Sequence, residues 1–430
     1  MDRHWQRDLE GEAERIALRL PEGMRRIFTQ SYLCTAKTTV QETADGRIFI
    51  VTGDIPAMWL RDSAAQVHHY LPAAAKYDSV YQFIRAVLSR QFFYIEMDPY
   101  ANAFNETANG NHWDEDKTDM KPDLWERKYE IDSLCFPIEL AYLYWQNSGK
   151  TSIFDEKFMK AAKTVVSVFR TEQDHENKST YSFERMNCVF TDTLSREGKG
   201  ALVKPNTGLI WSGFRPSDDS CVYGYLIPSN MLAVVILEYL SKISSEIYKD
   251  EEFAKETLDF AGEIREAIER EAIVRPGGYR FFNPFYAYEV DGYGEVLVMD
   301  DANLPSLLSA PYFGYCSADS QIYKNTKEII LSSQNPYYYE GEFASGIGSM
   351  HTPSNSVWHI SMGMEGLVSG NRGEKRYIIE RMADTDGGTG WMHESFGCDD
   401  PTQFTRPWFS WANAIFCELV MDYCGYKIKR

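Results

Sequence analysis

A tryptophan, an arginine and an aspartate stand within four residues in the segment GDIPAMWLRDSAAQ, residues 53–66. If the segment opens a helix capped by Asp54, Trp59 and Asp62 share one face and Arg61 lies about 100° round the axis. A flat apolar ring beside a cation and a carboxylate can hold a sugar, because the ring covers C–H bonds while the charged groups bind hydroxyls. A core tryptophan beside a surface ion pair is the alternative interpretation.

Two adjacent carboxylates form a second group in WSGFRPSDDS, residues 211–220. The aromatic residues of this segment are expected to give Asp218 and Asp219 an apolar surrounding, and each carboxylate opposes ionisation of the other. Both effects raise a carboxyl pKa, as a general acid near neutral pH requires. Arg215 acts in the opposite direction and could hold one aspartate ionised. Alternatively, Ser217 caps a helix and the acids only favour its first turn.

A glutamate stands among aromatic residues in the segment DGGTGWMHESFGCDDP, residues 386–401. The glycines predict an irregular loop, and a carboxylate framed by aromatic rings suits the wall of a pocket. A solvent-facing position for Glu394 is the alternative. Two carboxylates facing each other across a cleft are the arrangement that hydrolyses glycosidic bonds. One protonates the departing oxygen, and the other activates water or attacks carbon.

Three further residues are candidates for binding sugar hydroxyls. Glu130 and Asp132 lie in WERKYEIDSLC, near the start of a predicted helix, and could equally be caps or surface charges. His351, in SGIGSMHTP, is either a donor in a pocket or a loop histidine with its own protein partners.

Other chemistries lack their usual patterns. The sequence has no HExxH, no GxGxxG in a strand–helix context, no GxxxxGK[ST] and no GxSxG, so we expect neither a metal nor a cofactor. The net charge of −19 argues against nucleic acid or an anionic membrane as partner. No apolar run of about 18 residues predicts a membrane span. Eight scattered cysteines and a charged start without an apolar segment predict a cytoplasmic protein.

Apolar residues at three- and four-residue spacing predict an all-helical protein. Without interleaved buried strands, a parallel α/β fold is disfavoured. No linker marks a boundary, so we expect one domain over residues 1–430. Short strands are predicted at Arg47–Thr52 and Tyr279–Val298, the latter broken by a turn at Asp291. The predicted helices are Asp8–Leu20, Ala57–Lys76, Asp78–Glu96, Tyr129–Gln146, Phe154–Thr171, Pro228–Tyr248, Glu252–Ala272, Ala318–Ser333, Val357–Ser369 and Phe409–Tyr423.

Five motifs taken in order, from about Gly53 to Trp411, resemble glycoside hydrolase family 125, the exo-α-1,6-mannosidases. They are GDIPAMWLRDS, WERKYEIDSLC, FRPSDDS, MDDANLPSLL and MHESF. The resemblance implies an all-α (α/α)6 toroid, a six-hairpin barrel, with small β-hairpin insertions. It also implies inversion at the anomeric carbon, no catalytic metal, and a mannose-containing oligosaccharide as substrate. It implies no oligomeric state.

The resemblance also assigns roles to residues. The general acid is the aspartate of RPSDD, which we take as Asp218 with Asp219 as the alternative, because related toroidal glycosidases carry Asp-x-Ser there. The general base is Glu394. The predicted substrate-binding residues are Trp59, Arg61, Asp62, Glu130, Asp132, Arg215, Asp219 and His351. The competing functions are a sugar epimerase, which would use histidine pairs, and a non-catalytic glycan-binding protein.

Overall fold

The computed structural model describes residues 4–275 and 283–430. These residues are mostly helical, and long loops join many of the helices. The α-helices of the described ranges are α1 His4–Ala17, α2 Glu22–Cys34, α3 Leu60–Ala65, α4 Leu71–Ala74, α5 Asp78–Met97, α6 Ile131–Ser148, α7 Glu156–Glu172, α8 His175–Lys178, α9 Ile227–Ile243, α10 Glu251–Glu271, α11 Ala310–Phe313, α12 Gln321–Ile330, α13 His359–Val368, α14 Arg372–Asp384 and α15 Ser410–Tyr423.

The described strands have two or three residues each and pair antiparallel in small sheets. Two of these sheets have three strands, in the orders β3-β4-β5 and β10-β9-β6. The strands are β1 Val40–Glu42, β2 Ile48–Ile50, β3 Met58–Trp59, β4 Ala103–Phe104, β5 Leu124–Glu126, β6 Tyr225–Leu226, β7 Ile273–Val274, β8 Phe285–Tyr286, β9 Glu289–Val290, β10 Val296–Leu297, β11 Tyr338–Glu340, β12 Ser345–Ile347, β13 Ser356–Trp358 and β14 Ser395–Gly397.

Most predicted helices are confirmed within a few residues at each end. The helix predicted over Asp78–Glu96, for example, is α5. Sequence reasoning missed α2, α14 and the four-residue helices α8 and α11. A recognisable start signal precedes α14, because the side chain of Asn371 accepts hydrogen bonds from the N–H groups of Gly373 and Glu374.

The single helix predicted over Ala57–Lys76 is wrong. Trp59 belongs to strand β3, α3 begins only afterwards, and a 3-10 turn at His68–Tyr70 separates α3 from α4. Asp54 lies well before the helix and is not its cap. Its carboxylate instead accepts a hydrogen bond from Nε of Arg406 at 2.9 Å.

Both strand predictions are confirmed where the structure describes them. The segment Arg47–Thr52 contains β2. Residues 279–282 of the second segment lie outside the described ranges, and the rest contains β8, β9 and β10. The turn between β9 and β10 is fixed by the Asp291 carboxylate, which accepts three backbone N–H groups, from residues 293, 294 and 295.

Within the described ranges, six helical units contact one another in chain order. They are α3 with α4, then α6, α9, α11, α13 and α15, and α15 in turn contacts α3. Nearly every residue of α9 and α15 is buried, whereas α7 and α10 bury one face only. Helices apolar on all sides belong inside a fold, and amphipathic ones cover them. Accordingly α2, α5, α7, α10 and α14 pack outside the six units.

Extended residues lead directly into several inner helices. Strand β3 precedes α3, β6 precedes α9 and β13 precedes α13. The residues before α6 and α15, Glu130 and Phe409, are also extended. The start of a helix carries a partial positive charge from its unpaired N–H groups. Side chains at the starts of α3, α13 and α15 line the cavity described below.

Two general properties complete the description. None of the described helices combines the length and the apolar character needed to cross a membrane. All eight cysteines are unpaired.

Candidate active site

A cavity of about 450 Å³ lies at the starts of the inner helices. This volume falls in the range of ordinary small-molecule sites. Segments far apart in the chain meet here. The predicted site residues that line the cavity are Trp59, Arg61, Asp62, Asp218, His351 and Glu394.

The other four predicted site residues are buried and do not line the cavity. Each has an ionisable side chain that is fixed by hydrogen bonds or ion pairs to other groups of the protein. They are Glu130, Asp132, Arg215 and Asp219.

Arg61 is the centre of a buried ionic cluster. Its Nη1 donates to Oε2 of Glu130 at 2.7 Å and to Oδ2 of Asp132 at 3.0 Å. Its Nε lies 3.5 Å from Oδ2 of Asp62, and its Nη2 lies 3.7 Å from Oδ1 of Asp218. One guanidinium group therefore faces four carboxyl groups. Glu130 and Asp132 hold it in a fixed orientation beside the cavity.

Asp218 reaches the cavity from a strained backbone position. Its φ of 67° lies in the left-handed region, which non-glycine residues seldom occupy. Nδ2 of Asn102 donates to its Oδ1 at 3.3 Å, and Nζ of Lys128 donates to its backbone carbonyl at 2.8 Å. Its side chain is 25% exposed, more than those of its ionic neighbours. The loop thus holds this carboxylate at the cavity surface.

The pKa of Asp218 is lowered, which corrects the expectation of a raised value. Burial raises it, but the positive charges of Arg61 and Lys128 and a hydrogen bond from Glu130 outweigh burial and bring the pKa to about 2. Trp211 does not supply the expected apolar wall, because it stacks on His175 away from the cavity, with ring centroids 3.6 Å apart.

Asp219 points away from the cavity and positions a histidine. Its Oδ2 accepts a hydrogen bond from Oγ of Ser217 at 3.0 Å and lies 3.6 Å from Nδ1 of His351. Burial lowers the pKa of His351, but the Asp219 carboxylate and the negative charges of Glu394 and Asp218 raise it to about 9. His351 is therefore a cation at neutral pH. Ser217 does not cap a helix here, since the next helix is α9.

Arg215 is part of the support behind the cavity. Its Nε donates to Oε1 of Glu289 at 2.6 Å, and Oε2 of Glu289 accepts the N–H groups of Val222 and Tyr223. The structure thus pairs Arg215 with Glu289 rather than with Asp218 or Asp219. The pair ties the 215–223 loop to strand β9.

Glu394 enters the cavity from the loop that precedes β14. Oγ1 of Thr405 donates to its Oε2 at 2.9 Å, and Nη1 of Arg406 lies 3.7 Å from its Oε1. Strand β14 pairs with β13 and fixes this loop beside α13. Its neighbour His393 faces away and stacks on Phe404, with ring centroids 3.8 Å apart. The glutamate is therefore held by one hydroxyl and one cation.

Aromatic rings form much of the remaining wall. Trp59, Trp358, Phe409 and Trp411 line the cavity, and each lies at the start of an inner helix. Nε1 of Trp59 and Nε1 of Trp411 are buried and make no hydrogen bond within the described residues, and the same is true of Oδ2 of Asp62. These three atoms are inaccessible to solvent, and Oδ2 of Asp62 lies 3.5 Å from Nε of Arg61, so the aromatic rings rather than these atoms form the surface of the cavity.

Sequence reasoning missed several charged residues that line the cavity. Lys128 contacts Asp192 at 2.5 Å, and Arg185 forms ion pairs with Asp192 and with Glu126 at 2.9 Å each. Lys128 and Glu126 stand within the motif WERKYEIDSLC, so the motif itself was a usable signal. Arg406 shows no such local pattern.

Two loops form the mouth of the cavity. The first covers residues 105–123 and the second residues 184–193, and Lys117 and Glu184 join them by a backbone bridge. Nε and Nη2 of Arg185 also donate to the two carboxylate oxygens of Asp116, at 2.7 Å each. Trp113 of the first loop lines the cavity and remains 52% exposed.

Within the described ranges, no three His, Cys, Asp or Glu side chains are arranged to hold a metal ion. Residues 22–421 match the family described as metal-independent alpha-mannosidase (GH125). The chain belongs to this family. It is therefore a glycoside hydrolase and an α-mannosidase.

Similar proteins extend over nearly the whole chain. A GH125 structure from Streptococcus pneumoniae, a metal-independent alpha mannosidase in a non-productive complex with alpha-1,6-mannobiose, is 45% identical, covers 98% of each chain and has a TM-score of 0.93. The meiotically up-regulated gene 157 protein of Schizosaccharomyces pombe is 36% identical over 427 residues, 94% of this chain and 83% of that protein. A bacterial glucoamylase complexed with acarbose is 14% identical over 86% of this chain and 49% of its own, with a TM-score of 0.57, and shares the fold.

Proposed function

We propose that this GH125 α-mannosidase removes the terminal mannose from α-1,6-linked manno-oligosaccharides and inverts the anomeric carbon. The observation that carries the proposal is that Asp218 and Glu394, a candidate acid and a candidate base, line one cavity. The linkage is supported by the similar S. pneumoniae protein, which binds alpha-1,6-mannobiose. Membership of a hydrolase family leaves no support for the epimerase or the non-catalytic binding protein.

In this mechanism Asp218 protonates the glycosidic oxygen as the bond to the anomeric carbon breaks. The bonding electron pair stays with the departing oxygen. Glu394 removes a proton from a water molecule, whose oxygen bonds to the anomeric carbon from the opposite face. The hydroxyl of Thr405 and the guanidinium group of Arg406 orient Glu394 before the reaction.

The terminal sugar is held by the wall residues. Trp59 and Trp411 supply apolar surface, and Asp62 supplies a carboxylate. Arg61 and the charged His351 supply donors on the side of Asp218. Glu130, Asp132, Arg215 and Asp219 act as positioning residues behind this first layer rather than as direct sugar contacts.

We further infer a six-hairpin (α/α)6 toroid formed by a single domain over residues 1–430. The contact order of the six inner units, which returns from α15 to α3, supports the ring. One continuous cluster of buried apolar residues, from Trp5 to Met421, supports a single domain. A cytoplasmic location remains a prediction, supported by the unpaired cysteines.

Proton NMR during hydrolysis of α-1,6-mannobiose tests activity, linkage and stereochemistry together. We expect β-mannose to appear first and to equilibrate later with the α-anomer. First appearance of α-mannose would exclude inversion, and an unchanged α-1,6 substrate beside a cleaved α-1,2 or α-1,3 mannobiose would exclude the linkage.

Glu394→Gln provides the matching variant. It keeps the shape of the side chain but removes the base, so we expect kcat to fall by about 10²-fold or more while binding of mannobiose persists. Because the base is needed whatever the leaving group, an aryl α-mannoside should be affected as strongly as mannobiose. Near-normal turnover of either substrate would remove Glu394 from the mechanism.

A further inference from the structure

The charges around Arg61 do not balance if every carboxyl group is ionised. Asp62, Glu130, Asp132 and Asp218 all lie within 3.7 Å of its guanidinium group. Isolated buried carboxylates are costly, and a second carboxylate beside the first opposes ionisation. One cation against four carboxylates therefore requires that at least one of the four carries a proton.

The other cations near the cluster do not supply the missing charge. His351 lies beside Asp219, and Arg406 lies beside Asp54 and Glu394.

Lys128 is the remaining cation, and it is also paired. Nζ of Lys128 lies 2.5 Å from Oδ1 of Asp192 and 3.5 Å from Oε1 of Glu126, so it is already paired with two carboxylates. It reaches Asp218 through the backbone carbonyl of that residue rather than through the carboxylate.

Contacts within the cluster identify where the proton resides. Oε2 of Glu130 accepts from Arg61 and from Oγ of Ser133, each at 2.7 Å. Oε1 of Glu130 is fully buried and receives no donor from the described residues. Glu130 and Asp218 meet at neighbouring nitrogens of Arg61, on Nη1 at 2.7 Å and on Nη2 at 3.7 Å. Burial and a hydrogen bond with Asp218 raise the pKa of Glu130, and two carboxyl groups can share such a bond only if one of them is protonated.

We propose that Glu130 and Asp218 share one proton, which rests on Oε1 of Glu130 in the empty protein and moves to Asp218 when the substrate binds. The inference rests on the proposed role of Asp218 as the general acid. Burial raises the pKa of Glu130 well above its ordinary value, while the pKa of Asp218 is about 2. Glu130 is thus a positioning residue that stores the proton for the acid.

The transfer explains how a carboxyl group with a low pKa can serve as an acid. A bound sugar displaces water from the partly exposed Asp218 and places the glycosidic oxygen against it, which raises its pKa. The proton leaves Glu130 and binds Asp218, and the negative charge left on Glu130 is met by Arg61 and Ser133. Asp218 then gives the proton to the departing oxygen. Glu394 gains one proton from water, so one proton must return from Glu394 or solvent to the pair after each turnover.

Glu130→Gln tests the proposal, because glutamine still donates a hydrogen bond to Asp218 but holds no transferable proton. We expect kcat on α-1,6-mannobiose to fall by about 10²-fold or more, the contribution typical of a general acid. An aryl α-mannoside with a good leaving group needs no protonation, so its kcat should change by less than about fivefold. The basic limb of the kcat/KM profile on mannobiose should move to lower pH.

Asp132→Asn is the matched control. Asp132 also binds Arg61 at 3.0 Å and is equally buried, but the hydrogen bond to Asp218 comes from Glu130. We expect D132N to lower kcat on both substrates by a similar factor and to leave the basic limb of the kcat/KM profile at the same pH. Equal losses on both substrates in E130Q, with an unmoved basic limb, would overturn the shared proton and leave Glu130 a structural role.

A second variant keeps the test decisive if E130Q folds poorly. Glu130→Asp retains an ionisable carboxyl group. We therefore expect the basic limb of its kcat/KM profile on mannobiose to lie close to that of the unmodified protein. A shifted limb would count against the proposal. Inactivity of the unmodified enzyme on mannobiose would instead refute the proposed function. An active enzyme that needs Asp218 but tolerates E130Q on both substrates would refute the shared proton alone.

Discussion

Asp218 and Asp219 are neighbours in sequence but have different surroundings. Asp218 lies at the cavity beside Arg61, whereas Asp219 is turned inward to Ser217 and His351. The two residues also differ in backbone conformation, because Asp218 has a positive φ of 67° and Asp219 does not. Only the first of the two is placed to meet a glycosidic oxygen.

Asp218→Asn and Asp219→Asn should therefore change kcat in different patterns across two substrates. We expect D218N to lose about 10²- to 10⁴-fold in kcat on α-1,6-mannobiose and far less on an aryl mannoside with a good leaving group. D219N removes the partner of His351 but keeps the acid, so kcat should fall by a similar and smaller factor on both substrates. Steady-state kinetics with the two substrates measure this, and the reverse pattern would make Asp219 the acid.

Local motifs made part of the site predictable, and contacts between distant segments hid the rest. Trp59, Arg61 and Asp62 are adjacent in sequence, so their residue types alone indicated a sugar site. Arg406 gave no signal, because it meets Asp54 and Glu394 only after folding. The pKa of Asp218 was not predictable either, since the charges that lower it come from distant segments of the chain, among them Arg61 in α3.

At the scale of elements, periodicity revealed the long helices but not how they begin. Strand β3 has two residues, and its pairing with β4 depends on residues 103–104. A helical period cannot show so short a strand, so the helix predicted from Ala57 extended through it. The same strand places Trp59 at the cavity, just before α3.

The mouth loops are expected to bind the leaving-group sugar. The Trp113 ring lies edge-on against Trp125, with centroids 5.3 Å apart, and remains half exposed. Stacking on such a ring contributes on the order of 1 kcal/mol, so W113A should raise KM for mannobiose about fivefold with little change in kcat. Phe190→Ala is the control, because Phe190 is 82% exposed in the second loop and does not line the cavity. Equal KM values in the two variants would count against Trp113 as a stacking surface for the leaving-group sugar.

Close packing of the inner helices gives a stability prediction. A Cβ added at Gly363 of α13 would lie 2.3 Å from Cγ2 of Ile415 in α15. We expect G363A to destabilise the protein by about 1–3 kcal/mol through overpacking. The control is G262A in α10, where nothing lies within 4 Å of the added atom and a gain of about 0.5–1 kcal/mol is expected. Thermal unfolding of both variants measures the difference, and similar melting temperatures would contradict the tight α13–α15 contact.

At the scale of the whole molecule, charged groups also meet inside the bundle, apart from the cavity. Arg430 bridges two inner helices, donating from Nη1 to Glu139 of α6 at 2.7 Å and from Nη2 to Glu418 of α15 at 3.0 Å. Its guanidinium group lies 3.6 Å from the centre of the Tyr312 ring. Nε2 of His68 lies 3.3 Å from the other oxygen of Glu139. These contacts tie α6, α11 and α15 together through one side chain.

The stability of this bridge should depend on pH in a definite direction. Burial raises the pKa of Glu139, Arg430 lowers it, and the balance is a value of about 7. Because the folded pKa exceeds the ordinary value, the stabilisation from this group is complete below about pH 4.5 and is lost as the pH rises through about 7. Removing Arg430 raises the pKa of Glu139 further, so ionising Glu139 in the folded protein becomes more costly. The nearby His68 stays neutral, since burial and Arg430 lower its pKa.

We therefore expect Arg430→Gln to destabilise the protein by on the order of 2 kcal/mol at about pH 8, and by less at about pH 5.5, where Glu139 is protonated. Melting temperatures of the variant and the unmodified protein across this range measure the effect. Arg430→Lys keeps the positive charge and should show a smaller dependence on pH. A loss in R430Q that is the same at both pH values would mean that Arg430 acts through Glu418 and Tyr312 rather than by its charge on Glu139.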